Sequence, residues 1–198
     1  MNIKQAIALT GLFAAAAGLS PLAFAQDSGW YVGASVGQSK VKDFCPSLLL
    51  VGESCDDVGT AYGAFGGYQF NKYFGAELGY TDLDEFKASA AGTTETVKVK
   101  GVEFLGVGTI PINPHFEVYG KVGVYSWDLK DSCAGTSCLF ASQSETGTEL
   151  TYGLGAKFNF TKNVGLRVQY QRYKDVGDEA TTGKSDIDLL SLGVVFKF

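Results

Sequence analysis

Ten charged or amide side chains of this 198-residue chain interrupt stretches that are otherwise apolar and glycine-rich: Glu77, Glu103, Glu117, Lys121, Glu149, Lys157, Arg167, Gln169, Gln171 and Lys197. They fall at alternate positions of a two-residue repeat. In an extended chain they therefore share one face, and the aliphatic and aromatic residues share the other. Withdrawn from water, such groups must pair, because a lone desolvated charge is far too costly. Glu77 and Arg167 are the natural couple, since a guanidinium offers a carboxylate two parallel donors. Lys121 and Lys157 are the competing cations expected beside them.

Other chemistry is thinly supplied. His115 is the only histidine and stands in a turn-like Pro-Ile-Asn-Pro-His segment, with no strand-borne serine partnered to it. A serine or acid hydrolase needs a base held within reach, so the chain reads as a non-enzyme that carries no cofactor. Cys45, Cys55, Cys133 and Cys138 fall in long polar segments. In an exported protein they favour disulfides. Of the connectivities open to them, the local pairs Cys45–Cys55 and Cys133–Cys138 are preferred, and a cross-loop pairing stays open. Their spacing, with no loop histidine, suits zinc poorly. Acids such as Asp56, Asp57, Asp82, Asp84, Asp175 and Asp178 lack calcium-loop spacing and read as solvated charge. Gly106-Val107-Gly108 has no helix after it, which fails the dinucleotide-loop context.

The elements that position these groups are strands. In 63–80, GAFGGYQFNKYFGAELGY, Ala64, Tyr68 and Phe70 share one face, as do Phe74, Leu78 and Tyr80 after the polar break Asn71-Lys72. Alternation on both sides of a two-residue break signals an antiparallel hairpin. Its apolar face suits lipid and its polar face a barrel lumen.

The N-terminal stretch bounds the mature chain. Residues 1–25 carry Lys4, an apolar run and Ala23-Phe24-Ala25, the pattern of a secretory signal peptide cleaved before Gln26. The run is too short to span as a helix, so a membrane location requires a closed sheet. Residues 26–198 are expected to form one domain. Removing Lys4 takes the formal charge from −5 to −6, which argues against nucleic acid as a partner.

Eight strands are predicted, at 30–40, 58–70, 73–82, 96–110, 116–129, 148–160, 164–174 and 186–198. Short breaks at 71–72, 111–115 and 161–163 alternate with long ones at 41–57, 83–95, 130–147 and 175–185. That is an all-β, eight-stranded antiparallel up-and-down transmembrane barrel, with periplasmic turns and four extracellular loops. The outward set, from Trp30 and Val32 to Phe196 and Phe198, carries no formal charge. Trp30, Tyr68, Phe70, Phe74, Phe116, Phe158, Phe160 and Phe198 form the expected periplasmic girdle. A soluble sandwich or lipocalin-type barrel would need the charged set outside.

The same residues carry a family likeness. GAFGGYQF-NK-YFGAELGY resembles the second and third strands of the OmpA-type outer-membrane barrel. GWYVGASVGQS (29–39) resembles its first strand, LRVQY (166–170) its seventh, and LLSLGVVFKF (189–198) its last, ending in the terminal aromatic Phe198. The resemblance covers essentially the whole mature chain and implies a transmembrane domain alone, without a peptidoglycan-binding domain. It also implies that Glu77 and Arg167 form a lumenal ion pair that acts as a gate. The family usually places a second acid at Lys157 and a lysine at Val107. A partner switch would therefore run differently here, with Glu77 shared between Arg167 and Lys157.

The expected role is structural and surface-interacting, in the bacterial outer membrane. The expected partners are lipid and lipopolysaccharide, the barrel-assembly machinery through Phe198, and a host or environmental ligand at the loops. The alternative is a narrow ion pore gated by Glu77, Arg167, Lys157 and Lys121.

Overall fold

The computed structural model describes residues 28–42, 54–90, 93–135, 143–177 and 184–198. The expected signal peptide, Cys45 and Cys138 lie outside these residues, and the side chains of Cys55 and Cys133 are also outside what is described. Nine strands follow in order: β1 (Gly29–Val41), β2 (Ser54–Asp56), β3 (Val58–Gln69), β4 (Phe74–Ala90), β5 (Thr93–Pro111), β6 (Phe116–Gly135), β7 (Gln143–Asn159), β8 (Val164–Val176) and β9 (Ser185–Lys197). All pairings are antiparallel. β9 returns to β1, from Tyr31↔Lys197 to Val41↔Ile187, and closes the wall. Eight strands build the barrel, as expected. β2 is a three-residue ribbon lying against Lys87–Ser89 of β4.

The three short connections share one device. Asn71 Oδ1 accepts the backbone N–H groups of Tyr73 and Phe74 at 2.8 and 3.0 Å. Asn113 Oδ1 does the same for His115 and Phe116, both at 2.9 Å. Thr161 Oγ1 repeats it for Asn163 and Val164 at 3.2 and 3.0 Å. A short side chain that mimics a backbone acceptor fixes each reversal. Phe70 and Tyr73, expected in strands, fall inside the first turn.

At the opposite end the expected boundaries need correction. β4 runs on to Ala90 and β5 begins at Thr93, so most of the predicted loop 83–95 is ladder. β6 continues to Gly135 and β7 starts at Gln143, which removes much of the loop at 130–147. Cys55 and Cys133, expected in loops, sit on strand backbone paired to Ala88 and Glu95. Polar composition suggested loops here, but a ladder lifted clear of lipid needs polar residues on its outside.

These extensions invert the barrel's polarity. On β6, Val122 and Val124 point outward while Lys121 is buried. Four residues on, Ser126 and Lys130 are exposed, and Tyr125, Trp127 and Leu129 fill the inside. β8 changes in the same way, from Val168 and Tyr170 outside with Arg167 and Gln169 inside, to Arg172 outside and Tyr173 inside. β9 places Leu190 and Leu192 outward below, and buries Leu189 and Ile187 above. Outward Tyr62, Tyr80, Tyr152 and Tyr170 mark the transition, an upper aromatic girdle opposite the Trp30–Tyr68–Phe70 group at the short turns. Below that line the outside is apolar, as lipid requires. Above it the strands form a water-facing barrel with an apolar core.

Two bulges make the upper core. The ladder slips between Asp82 and Glu85 on β4 and between Tyr173 and Val176 on β8. Asp84 and Asp175 take positive φ, 74° and 50°. Asp is among the few side chains tolerated there, because it bonds locally. Asp82 Oδ1 accepts from the Asp84 N–H at 3.0 Å, and Asp84 Oδ2 accepts from the Thr60 N–H at 2.8 Å. Each bulge resets the two-residue phase, so Leu83 and Phe86 both point inward, as do Tyr173 and Val176.

The polarity boundary predicts position-dependent costs. Leu154→Arg, outward in the apolar band, is expected to lose about 2–4 kcal/mol of stability in lipid vesicles. Thr146→Arg, outward on the same strand above the boundary, should stay within about 0.5 kcal/mol. Urea titrations would show it; equal losses would remove the boundary from between these residues.

Candidate functional site in the lumen

Eight strands enclose only enough space for side chains, and the lumen is stacked in tiers. The central tier is built on Glu77 of β4, 1% exposed. Arg167 of β8 donates through Nη1 to Oε2 at 2.8 Å and through Nη2 to Oε1 at 3.4 Å. Lys121 of β6 donates to Oε1 at 2.9 Å, and the Tyr31 hydroxyl to Oε2 at 3.3 Å. The guanidinium lies 3.6 Å from the Phe65 ring centroid, a cation–π contact that covers its apolar face. Arg167 Nε has no hydrogen-bond partner among the described residues.

Glycines create the room for these rings. Tyr31 pairs across the ladder with Gly67 and Phe65 with Gly33. A Cβ on Gly67 would stand 2.4 Å from the Tyr31 hydroxyl, and one on Gly33 would stand 2.2 Å from the Phe65 ring. Tyr119 over Gly155 and Trp127 over Gly147 repeat the arrangement. Each aromatic lies across the backbone of its glycine partner, which pins register and fills the bore.

Lys157 does not join the central carboxylate. It is directly opposite Arg167 in the ladder but turns to Glu117, with Nζ 2.9 Å from Oε2, and Asn159 Nδ2 donates to the other oxygen at 2.7 Å. The expected sharing of Glu77 between Arg167 and Lys157 is therefore replaced by sharing between Arg167 and Lys121. Lys121 stands directly across the β5–β6 ladder from Val107, the position where the family places its lysine. A cation moved to the neighbouring strand at the same height fills the same place in the bore.

Above lies a neutral-donor tier that sequence reasoning assigned to the lumen but not to the site. Glu103 Oε2 accepts from Gln171 Nε2 at 2.7 Å and from the Tyr173 hydroxyl at 3.3 Å. Gln171 also donates to Thr151 Oγ1 at 3.0 Å, and the Tyr119 hydroxyl donates to Gln169 Oε1 at 3.2 Å. Glu77 and Glu103 together balance Lys121 and Arg167, so the buried set is neutral. A void of about 10 Å³ remains between the tiers, lined by Ser35, Phe65, Thr81, Glu103, Arg167 and Ser191. That is room for roughly one water. Tyr31, Phe65, Tyr119 and Tyr173 carried no charge to mark them; inward parity was the available signal, joined for the first three by the glycine opposite.

His115 lies in its turn with Nδ1 3.0 Å from the Asn159 carbonyl oxygen and its ring stacked on Phe158, 6.3 Å between centroids. Among the described residues no cluster of metal-ligating side chains occurs.

Glu77 is the one anion between two buried cations, which predicts asymmetric costs. Glu77→Ala leaves Lys121 and Arg167 unpaired and is expected to cost about 3–5 kcal/mol. Lys121→Met leaves the Glu77–Arg167 pair intact and should cost clearly less. Reversible urea unfolding in detergent would measure both, and similar losses would refute the shared-carboxylate arrangement.

A profile described as the OmpA-like transmembrane domain matches residues 25–198. Outer membrane protein A of Yersinia pseudotuberculosis is 34% identical over 199 residues, which cover 99% of this chain and 54% of that protein. Outer membrane protein A of Serratia marcescens is 33% identical over 206 residues, covering 99% and 55%. The chain thus spans about half the length of these curated relatives. Among solved structures, neisserial surface protein A superposes with a TM-score of 0.63 at 20% identity, over 86% of this chain and 99% of that one. Ail of Yersinia pestis, solved with the heparin analogue sucrose octasulfate, gives 0.57 at 22% identity, over 87% and 99%. At these identities the superpositions show the fold alone.

Proposed function

The chain belongs to the OmpA-like transmembrane domain family and is a bacterial outer-membrane β-barrel rather than an enzyme; from this premise we propose that it works as a structural and surface-interaction protein, acting through segments presented at the end opposite the short turns. The observation that carries this reading is the filled bore. Two polar tiers lie beneath an apolar upper core, with a void of about 10 Å³ between the tiers. A bore packed with side chains directs recognition to the ends of the barrel. In the proposed orientation the short turns face the periplasm, and the strand ends at Val41, Ala90, Gly135 and Val176, which the expected extracellular connections join, face outward.

The proposal extends to processing and partners. A signal peptide at 1–25 is cleaved before Gln26, and the family match beginning at residue 25 supports that point. The barrel-assembly machinery engages the C-terminal strand through Phe198. Lipid and lipopolysaccharide surround the wall, and a host or environmental macromolecule binds the outward connections. The pairs Cys45–Cys55 and Cys133–Cys138 tie the first and third of these connections.

A gated pore is the second reading. The observation favouring it is that one carboxylate, Glu77, holds two cations, while a second buried carboxylate, Glu103, is met only by the neutral donors Gln171 and Tyr173 in the hydrogen bonds described. Lys157 has no part in it, being held by Glu117.

Replacing 43–53 and 136–142 by short Gly-Ser linkers is expected to abolish adhesion of expressing cells to host cells or matrix, while heat-modifiable migration of the barrel persists. Adhesion that survives both replacements would remove those connections as the binding surface. Maleimide labelling of the denatured, unreduced mature protein should detect no thiol, and peptide mapping should recover both local pairs. Labelled cysteines would refute the disulfides, and mixed peptides would select the cross-loop pairing.

A further inference from the structure

Above the ionic tier the lumen is closed a second time by a different kind of matter. Leu83, inward in phase with Glu77 and Thr81, and Phe86, brought inward by the β4 bulge, are 0% and 1% exposed. They meet Tyr125, Trp127, Tyr173 and Ile187 in one continuous buried apolar cluster. The Tyr125 and Tyr173 rings pack at 4.6 Å between centroids. Their hydroxyls donate to the Thr81 carbonyl at 3.2 Å and to Glu103 at 3.3 Å. These tyrosines thus cap the polar tiers with their hydroxyls and close the apolar cluster with their rings. The Ser39 hydroxyl donates to the Leu83 carbonyl at 2.7 Å and fastens the bulge to β1. An apolar constriction excludes ions by refusing to hold their water, whatever the ion pairs beneath it do.

We propose that the lumen carries two barriers in series, the Glu77 ion cluster and the apolar plug of Leu83, Phe86, Tyr125, Trp127, Tyr173 and Ile187, and that either one alone keeps it shut. Breaking the ion cluster leaves the plug dry. Hydrating the plug leaves Lys121 and Arg167 locked on Glu77. The inference goes beyond the surface role: it concerns what keeps the packed bore shut, and adhesion through the outward connections is tested separately.

Planar-bilayer recordings of the refolded mature chain test it with three variants: Glu77→Ala, the pair Leu83→Ser with Phe86→Ser, and all three substitutions together. The expected result is silence from the parent and from each of the first two, and stepwise current only from the triple variant. Current from either of the first two would overturn the series arrangement, and silence from a folded triple variant would overturn it equally. Should the serine variants fail to fold, the plug itself is read in protein with an unaltered lumen. Trp30 and Trp127 are the two tryptophans, and Trp30→Phe, on the lipid face, isolates Trp127. The expected Trp127 emission is blue-shifted, with iodide quenching several-fold weaker than for free indole. Quenching equal to that of free indole would show a wet plug and overturn the proposal.

Discussion

Hydrocarbon offers no hydrogen-bond partner to a peptide group, so a sheet in the bilayer must close on itself. Closure at eight strands then sets the rest. The bore is about as wide as the side chains that enter it, so every inward residue is a packing decision as well as an electrostatic one. The glycine–aromatic pairs follow from this. Tyr31 fits over Gly67 and Phe65 over Gly33 because a Cβ at either glycine would overlap the ring. The same crowding brings Glu77 within hydrogen-bond distance of side chains from three other strands: Tyr31 of β1, Lys121 of β6 and Arg167 of β8.

The chain solves two opposite solvation problems with one alternating pattern. In lipid the outward set is apolar and the inward set is polar and paired. Once the wall rises past Tyr62, Tyr80, Tyr152 and Tyr170, water lies outside, and the cheapest interior becomes an apolar one. The strands need not stop to make this change. They exchange which parity carries the apolar residues, and two bulges with left-handed aspartates bring Phe86 and Val176 into phase with Leu83 and Tyr173. Bidentate Arg172–Asp188 and the Lys174–Asp186 pair then dress the outside of the raised wall.

What was legible in the sequence follows the same division. Strand number, closure, outward parity and short turns could be read because lipid imposes one rule over the whole membrane band. The partner of Glu77 was half legible: Arg167 shares its height on the wall, whereas the choice of Lys121 over Lys157 depends on cross-strand register and on Glu117 taking Lys157 first. The raised wall was illegible as strand. Residues such as Asp84, Glu85, Lys87, Lys130 and Asp131 read as loop to anyone expecting lipid outside, yet they lie in β4 and β6, and a bulge hides the alternation behind a phase shift.

The position of Lys121 shows why a lumenal charge is better compared between relatives by height than by alignment column. Val107 and Lys121 face each other across one rung of the β5–β6 ladder. A long, flexible ammonium anchored at either place reaches the same point on the barrel axis. Selection acting on neutrality and filled volume does not distinguish the two, and a cation can move to the neighbouring strand while Glu77 keeps its two partners. The ion cluster is therefore specified by the space it occupies. A missing family lysine at one position signals a lost interaction only when no inward residue on the flanking strands stands at the same rung.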